Sequence, residues 1–254
     1  MRWKSACASV TGSSHTSRGE KGQDACSAGT VRLGDEDYFI GIAADGAGST
    51  TDGGRGAEIA CGTLYAGIRD TIRNNNDLSS ITDDEVRGWV TAAREAVDEV
   101  AREYGKKPRD YASTVLGAVA GSGRALFFQI GDGAIVTAEG SECRTVFWPE
   151  QGEYANTTYF LTDAEYVNHL HISHTASPEG IALFTDGLQN LALSLAQKSA
   201  HPGFFLPLFS ALKASQDGLL ANFPDQLAGF LSREDISARS DDDKTLVLAV
   251  RIPG

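Results

Sequence analysis

Five aspartates in this chain stand where carboxylates could gather around a cation. Asp45 follows the apolar run Phe39–Ile40–Gly41–Ile42–Ala43–Ala44 and precedes Gly46–Ala47–Gly48. Asp186 ends a second apolar run, Ile181–Thr185, and precedes Gly187. Asp242 opens a third run, entered through Asp241–Asp242–Asp243. Apolar runs without polar alternation, cut off by turn residues, read as buried strands. If the third strand runs antiparallel to the other two, Asp45, Asp186 and Asp242 lie at one end of the same sheet. Asp132, in Gly131–Asp132–Gly133, and Asp24, in a glycine-containing loop before a strand, can reach that end. Carboxylates crowded at one low-dielectric edge repel each other unless cations neutralise them. An all-oxygen set suits magnesium or manganese rather than zinc. Two such ions about 3.5–4 Å apart can hold a bridging hydroxide and support in-line attack on phosphorus. Each acid also has a plainer reading: Asp–Gly is a common turn dipeptide, and Asp241–Asp243 could be a solvated charge cluster. The repetition of one device, an apolar strand meeting an aspartate at its tip, carries the metal reading.

The elements that must position these acids follow from periodicity. Arg2–Val10 reads as a first strand and the polar stretch Thr11–Lys21 as a loop. Gly29–Leu33 and Asp37–Ala44 read as strands joined by Gly34–Asp35–Glu36. A helix is expected from Gly53 to about Arg73, ended by Asn74–Asn76, and another from about Asp83 to Tyr104. For the second, Thr82 is the N-cap, Glu85 completes a capping box, and Val86, Val90, Ala93, Val97 and Val100 form the apolar stripe. Ser113–Ala120, Ala125–Ile130 and Ala134–Ala138 read as strands. Their separators, Gly121–Ser122–Gly123 and Gly131–Asp132–Gly133, both read as hairpin turns. Cys143–Trp148, Thr158–Leu161, His169–His174 and Ile181–Thr185 continue the strands. Leu188–Ala196, Phe204–Ala214 and Leu219–Leu231 read as helices, and Thr245–Ile252 is the last strand. Strand runs interleaved with helix pairs, without regular βαβ alternation, argue for an α+β fold of antiparallel sheets covered by helices.

The bulk composition narrows the function classes. The 254 residues are 41% hydrophobic and 22% charged, as expected of an ordinary soluble globular chain. The net charge of −12 makes nucleic acid a poor partner. No apolar stretch is long enough to span a bilayer, and no signal-like apolar run follows Met1–Ser5, so no membrane role is expected and the location expected is cytoplasmic. Cys7, Cys26, Cys61 and Cys143 are spaced neither as a zinc knuckle nor as a redox pair, and are expected to be reduced thiols, mostly buried.

The motifs Gln23–Asp24, Ala44–Asp45–Gly46–Ala47–Gly48, Ala112–Ser113–Thr114, Ile130–Gly131–Asp132, Phe184–Thr185–Asp186–Gly187 and Asp242–Asp243–Lys244–Thr245 occur in one order along nearly the whole chain. As an ordered set the chain resembles the metal-dependent protein serine/threonine phosphatases of the type 2C family. The resemblance implies one catalytic domain over residues 1–254, a central antiparallel β-sandwich flanked by helix pairs in four αββα layers. It implies metal-binding carboxylates at Asp45, Asp186 and Asp242, with the Gly46 carbonyl on the second ion. Asp24 then contacts metal-bound water, and Asp132 matches the acid of a weaker third metal. The ions are manganese or magnesium, and the bridging hydroxide attacks a phosphoserine or phosphothreonine ester without a covalent enzyme intermediate. The substrate implied is a phosphorylated protein of a bacterial signalling module, in company with a protein kinase and a von Willebrand type A protein.

Four positions depart from the family pattern. Gln23 stands where Glu is usual, Ala47 where many members have His, and Asp243 where Asn follows the last ligand. Arg18 lies one step out of register for the phosphate-holding arginine. His15, in the loop before Asp24, is either a solvated loop histidine or a substitute acid for the leaving group, since imidazole titrates near neutral pH. His169, His171 and His174 alternate along a strand and are poor ligand candidates. Two other classes compete with an active phosphatase. One is a phosphatase-like binding module that reads phosphorylated partners with little turnover. The other is a two-metal nuclease or phosphodiesterase, for which the negative charge disfavours a nucleic-acid substrate.

Overall fold

The computed structural model describes residues 1–75, 78–149, 158–216 and 220–253. Along the chain run β1 (Arg2–Val10), α1 (Ser13–Thr16), β2 (Asp24–Leu33), β3 (Glu36–Asp45), α2 (Gly53–Asn75), α3 (Asp83–Glu103), β4 (Val115–Ala120), β5 (Arg124–Ile130), β6 (Ala134–Glu139) and β7 (Glu142–Phe147). There follow β8 (His171–Ala176), β9 (Gly180–Phe184), α4 (Gln189–Ala192), β10 (Leu193–Ser194), β11 (Ser199–Ala200), α5 (Pro202–Ala214), α6 (Phe223–Leu231), α7 (Glu234–Ser237) and β12 (Lys244–Ile252). The strands form two five-stranded antiparallel sheets, in the orders β1-β12-β9-β6-β7 and β2-β3-β4-β5-β8, plus the small ribbon β10-β11.

Alternation along each strand builds four layers. On β3, Tyr38, Ile40, Ile42 and Ala44 pack with Leu64, Ile68, Val86 and Val90 of α2 and α3. The opposite face, Phe39 and Ala43, packs between the sheets with Leu183 and Val247. On β12, Leu246, Leu248 and Val250 turn outward to Phe205 and Phe209 of α5 and to Leu227 of α6. Strands covered on both faces need apolar residues at every position, which explains the unbroken run of β3, buried from Asp37 to Ala44. The expected α+β sandwich flanked by helix pairs is the fold observed.

The capping box of α3 forms as expected: Glu85 N–H donates to Thr82 Oγ1 at 3.3 Å, and Thr82 N–H donates to Glu85 Oε2 at 2.8 Å. Other elements differ. Gly121–Ser122–Gly123 is a hairpin joining β4 to β5, but Gly131–Asp132–Gly133 is not a hairpin: β5 and β6 belong to different sheets. Gly131 takes φ +105°, a conformation that favours glycine, and the buried Gln129 amide donates to the carbonyls of Gly131 (3.1 Å) and Gly133 (2.9 Å). This short crossover carries the chain from one sheet to the other. Thr158–Leu161 is not a strand; the Leu161 carbonyl is taken by the Arg94 guanidinium at 2.7 Å instead of a ladder. The helix expected over Leu188–Ala196 stops at Ala192, because Leu193–Ser194 pairs with Ser199–Ala200. The Thr11–Lys21 loop contains α1, and β2 begins at Asp24, earlier than expected. His169 lies in a 3-10 turn before β8. Asn76 and Leu219, expected at helix ends, lie outside the described residues.

Candidate metal centre

β3 ends in Asp45, and antiparallel pairing sets Asp24, the first residue of β2, directly opposite it. β9 ends at Phe184, one step before Thr185–Asp186, and β12 begins at Lys244, antiparallel to β9 with Leu246 opposite Phe184. The acids therefore share one end of the sandwich but not one sheet. Asp45 and Asp24 come from one sheet, Asp186 and Asp242 from the other, which corrects the single-sheet expectation. The period of two places Asp24 on the same face of β2 as Cys26 and Ala28, turned toward the opposing sheet. The Gly131–Gly133 crossover brings Asp132 to the same end, where its carboxyl feels the charge of Asp242 and Asp186 feels that of Asp132.

A hydrogen-bonded frame holds these groups. Thr185 Oγ1 donates to Asp24 Oδ2 at 2.7 Å and accepts from Thr245 N–H at 3.2 Å. Asp45 N–H donates to Thr114 Oγ1 at 3.0 Å, and Thr114 N–H returns a bond to the Asp45 carbonyl at 2.8 Å. Gly46 lies against the start of α2: a Cβ there would sit 2.3 Å from the Gly53 carbonyl carbon, so only glycine fits. With the Gln23 amide turned nitrogen-first, its NH₂ lies 3.0 Å from the Gly46 carbonyl and 3.2 Å from that of Ala47. The buried Lys244 donates to the Asp242 carbonyl at 2.9 Å and fixes the register of the tail.

The electrostatics are those of a site made for cations. Burial pushes Asp45 well above the usual carboxylate range, and the charges of Asp24, Asp186 and Asp242 push it further. Asp186 rises to about 7, through burial first and then Asp132, Asp242 and Asp24. Asp24 rises to about 6 by burial, against the stabilising bonds of Thr185 and Thr245. Asp132 is raised by burial as well. Mutually repelling, half-buried carboxylates, all oxygen donors, fit hard divalent ions.

His15 is not a solvated loop residue. It is 5% exposed, and its Nδ1 lies 3.0 Å from Asp243 Oδ1. Asp243 also accepts from Gly12 N–H (2.7 Å) and Gln23 N–H (2.5 Å), while Ser14 N–H donates to the Asp241 carbonyl (2.8 Å). One buried carboxylate thus pins the 12–23 loop to the entry of β12 beside Asp242. His15, Asp242 and Asp243 each bring a ligand-capable atom within 4.8 Å of the others. Arg18 lies on the loop surface and pairs with Glu20 at 2.7 Å, both side chains about half exposed. The three histidines around β8 are engaged elsewhere: His169 stacks on Tyr159, His171 faces Phe147, and His174 meets Asp83 at 2.9 Å. Sequence reasoning missed the clamp by Asp243 and the framing roles of Thr114 and Thr185. The two threonines stood inside quoted motifs; nothing in the local sequence marks Asp243 as a threefold acceptor.

A family model described as Protein phosphatase 2C matches residues 11–232. Serine/threonine-protein phosphatase 3 of Escherichia coli (strain K12) is 35% identical over 252 residues, spanning 98% of this chain and 99% of the relative. Among solved structures, PppA, a regulatory component of T6SS in Pseudomonas aeruginosa, aligns with TM-score 0.63 at 16% identity over 99% of both chains. The serine/threonine phosphatase Stp1 from Staphylococcus aureus aligns with TM-score 0.63 at 14% identity, over 100% of this chain and 96% of its own. The catalytic domain of the serine/threonine phosphatase PstP, in complex with two manganese ions, aligns with TM-score 0.62 at 14% identity over 99% of both chains.

Proposed function

The chain belongs to the protein phosphatase 2C family, and from that premise we infer how its residues divide the work of a metal-dependent protein serine/threonine phosphatase. The observation that carries the reading is the convergence of Asp24, Asp45, Asp132, Asp186 and Asp242 from two sheets onto one half-buried end. Asp45, Asp186 and Asp242, with the Gly46 carbonyl, are the proposed ligands of two divalent ions, manganese or magnesium, and Asp132 of a weaker third. Bound there, such ions supply a nucleophile at neutral pH and offset the charge of the phosphoryl group. Asp24, held by Thr185, orients the attacking water. Gln23 keeps the Gly46 carbonyl pointed by donating beside it. Ala47 has no proton to give, so we assign protonation of the leaving alkoxide to His15, steadied by Asp243. Arg18 takes the phosphate by leaving Glu20, an exposed pair that costs little to break.

The substrate class is a phosphorylated protein. By resemblance, we place it in a bacterial signalling module with a protein kinase and a von Willebrand type A protein. We also propose that residues 1–254 form one catalytic domain working in the cytoplasm. Among the described residues no helix is long and apolar enough to cross a membrane. A binding module without turnover is not favoured, because an acid cluster of this kind is costly unless it serves a metal. The test is phosphate release from phosphoserine and phosphothreonine peptides, with manganese, with magnesium and with chelator. Turnover that needs the added ion supports the reading; equal turnover in metal-stripped protein overturns it.

A further inference from the structure

Two thiols outside the proposed machinery meet between the sheets. β1 and β2 are edge strands of different sheets and pack against each other along one side of the sandwich. On β1, Ala6 and Ala8 turn out to the helices, while Trp3 and Cys7 turn in. On β2, Ala25 and Val31 turn out, while Cys26 and Ala28 turn in. The alternation of both strands therefore sets Cys7 against Cys26. The two thiols lie near enough to shift each other's titration, Cys7 downward and Cys26 upward. Both residues are half-buried rather than sealed. Cys61 lies behind β2, fully buried, with its sulfur 3.5 Å from the Ala25 carbonyl. Cys143 sits on β7, at the far edge of its sheet from β1.

We propose that Cys7 and Cys26 are a redox modification site: a hydroperoxide converts them to a reversible disulfide that joins the two sheets beside Asp24 and slows the enzyme. The chemistry balances with the peroxide as oxidant. The Cys7 sulfur attacks the peroxide, the O–O bond breaks, and Cys7 becomes a sulfenic acid as one oxygen leaves as water. The Cys26 sulfur then attacks the sulfenic sulfur, the S–O bond breaks, and a second water departs with the remaining thiol proton. In sum, two thiols and one hydrogen peroxide give one disulfide and two waters. The neighbouring Cys26 favours the thiolate of Cys7, the attacking form, and is itself held protonated. In a reducing compartment such a bond is transient, as redox-sensing disulfides are.

The effect on activity follows from register. A disulfide draws the sulfurs to about 2.05 Å, well inside the contact separation of two thiols. Cys26 lies two residues from Asp24 on the same face. Cys7 lies two residues from Ser9, which accepts the Thr245 hydroxyl at 2.8 Å, and Thr245 N–H donates to Thr185 Oγ1, the hydroxyl that donates to Asp24. Drawing β1 and β2 together moves both supports of Asp24.

The whole protein, treated with hydrogen peroxide and then digested without reductant, should lose 2 Da and yield a peptide pair linking Cys7 to Cys26. Turnover should fall about fivefold or more, recover with dithiothreitol, and be insensitive to peroxide in Cys7→Ser and in Cys26→Ala. Two variants are used so that poor folding of one leaves the other to decide. Oxidation without the Cys7–Cys26 link, or a link with unchanged turnover, overturns the proposal. The linkage map needs no catalysis, so a protein inactive in both redox states counts against the phosphatase assignments and not against the thiol pair.

Discussion

Asp45, Asp186 and Asp242 stand at the tips of strands from both sheets, and each should be individually indispensable. Asp45→Asn, Asp186→Asn and Asp242→Asn are expected to cut kcat by orders of magnitude with unchanged circular dichroism. Asp241→Asn should be nearly silent, because Asp241 is exposed and contributes its backbone carbonyl to Ser14; equal losses at Asp241 and Asp242 would show the tail misaligned. His15→Ala should slow a phosphoserine peptide about 10²–10⁴-fold, the range of a lost general acid, and slow nitrophenyl phosphate little, since nitrophenolate leaves unaided. A loss within about twofold on the peptide would return His15 to a purely structural part of the Asp243 clamp. The raised carboxyls set the pH behaviour. An acid whose folded pKa exceeds its unfolded value keeps a proton that the unfolded chain has released. Its folded state therefore loses stability as pH rises from about 4 through the folded values, about 6 for Asp24 and about 7 for Asp186. Melting in chelator should thus occur at a higher temperature at pH 5.5 than at pH 7.5. Manganese competes with those protons, so calorimetric titration should find affinity weaker by more than about tenfold at pH 5.5.

The strands and long helices were legible in the sequence because each carries a strong periodicity: β3 and β12 as unbroken apolar runs, α3 as a capped stripe. The cap is separable from function. Thr82→Ala should cost about 1 kcal/mol in denaturant melts and leave kcat unchanged, since the box lies at the start of a helix that covers the outer face of one sheet. What stayed hidden is long-range. Gly131–Asp132–Gly133 has the composition of a hairpin turn; only the partners of β5 and β6 reveal a crossover between sheets. Asp45 and Asp186 look alike as strand tips, and nothing local says that they end strands of different sheets. His15 looks solvated because its loop is polar, while the residue that buries it, Asp243, lies at the other end of the chain. Leu188–Ala196 has helical composition, but past Ala192 the chain turns into β10, which pairs with β11.

At the scale of the molecule, the proposed centre takes its ligands from both sheets, so a metal bound there would brace one against the other. Saturating manganese should raise the melting temperature by about 5–10 °C over chelator, from the mass-action stabilisation at about a hundredfold excess over Kd; no shift in a calorimetric scan would mean that the ions do not bridge the sandwich. The strand order has a further effect, in time rather than in space. β12 lies between β1 and β9, and Arg2 faces Ile252. During synthesis on the ribosome, the strands bearing Asp24 and Asp45 can pair at once, while β1 and β9 each wait with an unpaired edge until β12 emerges with Asp242 just ahead of it. Such distant pairing slows folding, and a waiting edge invites aggregation. The nascent protein is therefore both catalytically silent and in need of shelter until its last strand slides into place.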